Sequence, residues 1–133
     1  MLASALDSVR IFLHVLGATI WVGGQLTLAA LVPVLRAIDP TLPKKVARAF
    51  NKVAWPAFGL LVLTGVWNVA RIPSGASSNY NTVLAIKMTV VALSGIAAYL
   101  HSKAKSTPGL VIWGALSGLS ALGATYLGAL LAG

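Results

Sequence analysis

The sequence predicts an all-α integral membrane protein, an up-down-up-down four-helix bundle forming a single transmembrane domain over residues 1–133. Three observations carry this. The 133 residues are 58% hydrophobic and 9% charged, with a mean hydropathy of +0.88, whereas a soluble domain is roughly a quarter charged. Four apolar stretches are long enough for a ~30 Å hydrocarbon core, which takes roughly 20 helical residues. No stretch alternates with period two, and lipid favours helices for runs this long.

Apolar spans run from about Val9 to Leu35, Val53 to Ala70, Thr82 to Leu100 and Leu110 to Ala132. The helices around them are expected at about 9–37, 46–71, 82–101 and 109–132. The first is not a convincing signal peptide: its apolar run is too long, Asp7 interrupts the basic entry, and no small-x-small cleavage site follows. The connections are short. "AIDPTLPKK" holds two prolines and then basic residues, "IPSGASSNYN" is uncharged and turn-forming, and "SKAKSTPG" ends in Pro-Gly. Short connections make sequential helices antiparallel neighbours.

The charge pattern sets an orientation. Ten Lys and Arg oppose two acids, Asp7 and Asp39, for a net charge of +8. Arg36, Lys44, Lys45, Arg48 and Lys52 surround the first connection, and Lys103 and Lys105 lie in the third; Arg10 and Arg71 flank the opposite face. This excess lies beside apolar spans, so it points to topology and anionic lipid and not to nucleic acid. The positive-inside rule then places the chain in the plasma membrane as a multi-pass protein with both termini outside the cytoplasm. The absence of Cys excludes disulfides, thiolate metal sites and Cys nucleophiles.

The fourth span, "WGALSGLSALGATYLGALLAG", carries a stripe of small residues: Gly114, Gly118, Ala121, Thr125 and Gly128. Such a stripe allows close helix approach. It serves either packing within the bundle or a homodimer seam through Gly114 and Gly118.

Ionisable side chains within a span are costly, so each is a functional candidate. Here they are His14, Lys87 and His101, with the polar Gln25 and Asn68. At ~1.5 Å rise per residue, His14 lies roughly 6 Å beyond Arg10, Lys87 about 9 Å beyond Asn81, and Asn68 about 5 Å from Arg71. These three share a layer near the outer leaflet, with Arg10, Arg71, Trp67 and Met88 at about the same level. His101 lies ~30 Å down the third helix, near the opposite end.

A single neutral imidazole in a helix bundle is a natural axial ligand for haem iron. Arg10 and Arg71 suit the propionates through bidentate pairing, and Trp21 and Trp67 suit a flat apolar slot. Lys87 would anchor a propionate or act as a distal ligand or proton donor, and Met88 is a soft ligand on the same turn. Plainer roles stand beside these: His14 hydrogen-bonded to a neighbouring helix, Lys87 snorkelling outward, His101 ending a helix, and the tryptophans forming an aromatic belt. No paired carboxylate, Gly-rich phosphate loop or Ser–His–Asp set is present, and two acids near span ends disfavour a carboxylate proton relay.

"RIFLHVLGATIWVGGQL" (Arg10 to Leu26) resembles the first helix of the copper-resistance protein D (CopD-like) membrane domains, with Leu-His, small and apolar residues, then Trp-x-Gly-Gly. "ARAFNKVAWPAFGLLVLTGVWNV" is similar to the second helix of that superfamily, and "LAIKMTVVALSGIAAYLH" to the third. A similar order occurs in HemJ-type protoporphyrinogen oxidases, small haem-containing membrane proteins. The resemblance covers the first three helices; the fourth is generic. It implies haem b at His14, with Lys87 and His101 matching a third-helix lysine and a late histidine, and it implies a homo-oligomer. His101 also enters as a metal-ligand candidate. The chain lacks a methionine-rich loop, having only Met1 and Met88, which departs from the copper pattern because Cu(I) prefers soft ligands.

Three functional readings follow. One is a haem b membrane protein acting in electron transfer, gas chemistry or tetrapyrrole oxidation, with an oxidoreductase activity left open. Another is a copper permease with His14, Met88 and His101 as stepping sites. The last is a non-catalytic membrane subunit docking a partner through Gly114/Gly118. Redox partner and substrate are not specified by the sequence.

Overall fold

The computed structural model describes residues 2–133. Four helices, all long and apolar enough to cross a membrane, account for its regular structure, and no strand occurs among the described residues: α1 (Ala5–Ile38), α2 (Leu42–Ala70), α3 (Ser78–Lys103) and α4 (Thr107–Ala132). The expected all-α membrane fold of four helices is what the chain has. This is a multi-pass membrane protein. The first three helices begin four residues earlier than expected and α4 two earlier; in α1, α3 and α4 the first turn extends out of the apolar run to a capping serine. Ser4 accepts the amide of Asp7, Ser77 that of Tyr80 and Ser106 that of Gly109, each satisfying an orphan amide of a first turn. Pro43 occupies the first turn of α2, where its missing N–H costs nothing.

α1 is continuous but not uniform. Residues Thr19–Gly23 form a π-helical turn around Trp21, and Pro33 lies inside the later part, where it removes one ladder hydrogen bond.

The chain divides into two compact units. α1 and α2 build the first, up to Ile72, and α3 and α4 the second, from Pro73. Within each, the two helices run antiparallel. Apart from Trp21 and Leu61, the buried residues are small or hydroxylic, among them Gly17, Ala54, Ala57 and Thr64 in the first unit and Ser94, Ala97, Ser117, Ala121 and Ala124 in the second. Large apolar side chains point outward, among them Phe12, Leu63, Val111 and Leu119, each more than 60% exposed. In lipid, apolar area gains nothing by turning inward, so helices associate by close backbone approach and hydroxyl bonding. The inverted pattern is the physical signature of that solvent.

Gly17 is the tightest approach in the first unit. A Cβ there would stand 2.9 Å from the Ala57 carbonyl oxygen and 3.2 Å from the Leu61 nitrogen. One turn deeper, Trp21 is 3% exposed and packs on Trp55 and Phe58, with ring centroids 5.2 and 4.5 Å away. Further along, Gly24 receives the Phe50 ring.

Candidate functional site

Polar side chains of the first unit stack in rungs between α1 and α2. Arg10 and His14 are four residues apart on α1, and Thr64 and Asn68 four apart on α2, so each pair shares a helix face. Antiparallel packing then matches Arg10 with Asn68 and His14 with Thr64.

At the end of the unit Arg10 donates from one terminal nitrogen to the Asn68 side-chain oxygen and from the other to Asp7 Oδ1 at 3.2 Å. Arg71 approaches the same Asp7 oxygen at 3.8 Å. Ser4 donates its hydroxyl to Asp7 Oδ2 at 2.9 Å. The two arginines expected to receive propionates thus converge on one carboxylate, leaving an excess of one positive charge. Arg10 Nε is buried and has no hydrogen-bond partner among the described residues.

One rung inward, His14 Nδ1 lies 2.9 Å from Thr64 Oγ1. The Thr64 hydroxyl also lies 2.7 Å from the Leu60 carbonyl. In the tautomer that leaves the hydroxyl proton on that carbonyl, neutral His14 donates from Nδ1 and carries its lone pair on Nε2. Gly65 leaves room beside the ring: a Cβ there would meet only His14 Cε1, at 3.6 Å. The role of His14 as an interhelical hydrogen-bonding residue is therefore realised. Trp67, near the same end of α2, is half-buried.

Lys87, Met88 and His101 belong to the second unit. Lys87 is half-buried, and its ammonium lies 3.3 Å from where a Cβ on Gly128 would stand. No acid occurs in this half of the chain. Met88 is 50% exposed. His101 donates from Nδ1 to the Leu110 carbonyl at 2.8 Å and lies over Gly114, where a Cβ would come within 3.0 Å of its ring. It ties α3 to α4 and does more than end a helix. Gly114, Ala121 and Gly128 of the small-residue stripe serve this packing. Gly118 faces open space and Thr125 is exposed.

Four residues outside the expected set organise these units. Asp7 and Thr64 complete the polar rungs; the i, i+4 spacing of Thr64 and Asn68 against Arg10 and His14 was the signal for Thr64. Ser94 and Ser117 exchange reciprocal hydrogen bonds, each hydroxyl donating to the other's carbonyl at 2.9 Å. Their signal was a repeated tetrapeptide, Ala-Leu-Ser-Gly, at 92–95 and 115–118. Among the described residues no group of three His, Cys, Asp or Glu is placed to hold a metal ion.

Comparison of the chain with protein-family models, curated proteins and solved structures gave no match.

Proposed function

We propose that this membrane protein binds haem b, which His14 would hold through its imidazole, with Arg10 and Arg71 pairing with the propionates. The observation that carries this reading is the Thr64 hydrogen bond, which holds Nδ1 and orients the imidazole. Ligating histidines commonly hold their other ring nitrogen in such a bond, which fixes the tautomer. The donor set suits the group: one neutral imidazole, then Arg10 one turn, about 6 Å, along α1, with Arg71 at the end of α2 approaching the same carboxylate as Arg10. Arg10 Nε, buried without a partner among the described residues, offers a donor to an incoming carboxylate. Bound haem supplies a one-electron iron centre, suited to electron transfer, gas binding or tetrapyrrole oxidation. The chain's own part is to hold the ring through Thr64, neutralise carboxylates through Arg10 and Arg71, and fix the Arg10 guanidinium through Asn68.

The test is the visible absorption spectrum of detergent-solubilised protein, purified as expressed and after addition of haem. A Soret band is expected that His14→Ala removes or displaces. A colourless protein that takes up no haem, or a band indifferent to His14→Ala, overturns the reading.

Copper transport has weaker support. Of its stepping sites, His14 belongs to the first unit, Met88 points outward from the second, and His101 is engaged with Leu110. For orientation, the basic residues in and beside the first and third connections favour a plasma-membrane protein with both termini outside the cytoplasm. A homodimer would form on the Gly118 side of α4, since His101 covers Gly114.

A further inference from the structure

The apolar run of α2 that spans the hydrocarbon begins at Val53, so residues 42–52 form a helical overhang of roughly 16 Å. Lys44, Lys45, Arg48 and Lys52 all lie on it and all are exposed. At 100° per residue they fall within one arc of about 100°. Leu42, Pro43, Val46, Ala47 and Phe50 occupy the remaining arc, and Phe50 packs on Gly24 of α1. Arg36, in the last turn of α1, is exposed as well.

Among the described residues these five cations have no ion-pair partner. The ion pairs among the described residues are those of Asp7 with Arg10 and Arg71. Asp39, the nearest acid in sequence, has one carboxylate oxygen taken by the Thr41 amide and hydroxyl. A cationic helix face emerging directly from an apolar span meets the headgroup layer, where the abundant fixed anions are lipid phosphates.

We propose that this face of α2, with Arg36, is a docking surface for anionic phospholipid headgroups. It recognises phosphate esters whose charge is not balanced by an amine, and it holds the first unit against the leaflet rich in them. The site is independent of any cofactor at His14.

The full-length protein, reconstituted in nanodiscs of phosphatidylcholine with graded phosphatidylglycerol, tests this by native mass spectrometry of retained lipid. Two variants of equal net charge are compared, Lys44→Gln/Lys45→Gln and Lys103→Gln/Lys105→Gln, with helicity checked by circular dichroism. The first is expected to weaken phosphatidylglycerol retention roughly fivefold for each charge removed, and the second to change it distinctly less. A variant in which Arg48→Gln and Lys52→Gln are added should weaken it further. Equal effects of the two pairs would show that net charge alone acts, and overturn the surface. Competition by inorganic phosphate at matched phosphate concentration would assign it to free phosphate instead, also overturning the proposal.

Discussion

His14 Nδ1 and Thr64 Oγ1 are joined across α1 and α2 by a 2.9 Å hydrogen bond, and the same threonine oxygen lies 2.7 Å from the Leu60 carbonyl. When the hydroxyl proton goes to Leu60, the imidazole donates from Nδ1 and its lone pair is on Nε2.

Replacing Thr64 with Val keeps the shape and removes the acceptor. The expected loss is about 1 kcal/mol of stability in mild detergent. In nitrogen-15 spectra of the cofactor-free protein the Nδ1–H population of His14 should fall, while Thr64→Ser should preserve it. Under the haem reading, Thr64→Val also weakens haem affinity by roughly 10–100-fold, measured by spectral titration.

Gly17 is bounded by backbone and not by movable side-chain ends. Gly17→Ala therefore forces α1 and α2 apart, at an expected cost of about 1–3 kcal/mol. Gly59→Ala, where an added Cβ meets nothing within 4 Å, serves as the contrast and should gain slightly from helix propensity, up to about 1 kcal/mol. Equal behaviour of the two in reversible unfolding would contradict the packing.

The reciprocal pair of Ser94 and Ser117 lends itself to a double-mutant cycle. Each Ser→Ala change removes one interhelical bond of α3 and α4, worth roughly 0.6–1.7 kcal/mol by membrane-protein precedent. The two effects should be non-additive, because the residues touch. Single variants without loss would place the bonds outside the folded unit's energetics, and strict additivity would show that the two bonds act independently.

Asp39 supplies a pH dependence. Hydrogen bonds from the Thr41 amide, and then from its hydroxyl, hold the Asp39 carboxyl below the usual carboxylate range. Its folded value lies below its unfolded value of about 3.9. The contribution is thus present above about pH 4 and is lost as pH falls through the folded value. Carbon-13 carboxyl shifts should show Asp39 titrating below the reference, and Thr41→Ala should move the midpoint upward toward it while leaving the amide bond.

Much of the fold was legible in the residues themselves. The four spans follow from apolar run length, and Ser4, Ser77 and Ser106 mark helix starts that a reading of the apolar runs alone places late, since caps lie in polar sequence. The polar rungs were half legible: His14, Arg10, Asn68 and Arg71 stand out as costly residues near lipid, but Asp7 looked like a flank residue and Thr64 like one more small residue of a span.

By itself, then, the sequence determined the solvent, the number of helices and the residues that lipid makes expensive, because each depends on local composition and on a fixed rise per residue. Only the tertiary structure decided the pairings: His14 with Thr64, Arg10 and Arg71 on a single Asp7, Ser94 with Ser117, His101 over Gly114. Those depend on the register of two antiparallel helices. In lipid that register is set by where glycine and alanine permit backbone contact, not by a hydrophobic stripe that periodicity can reveal.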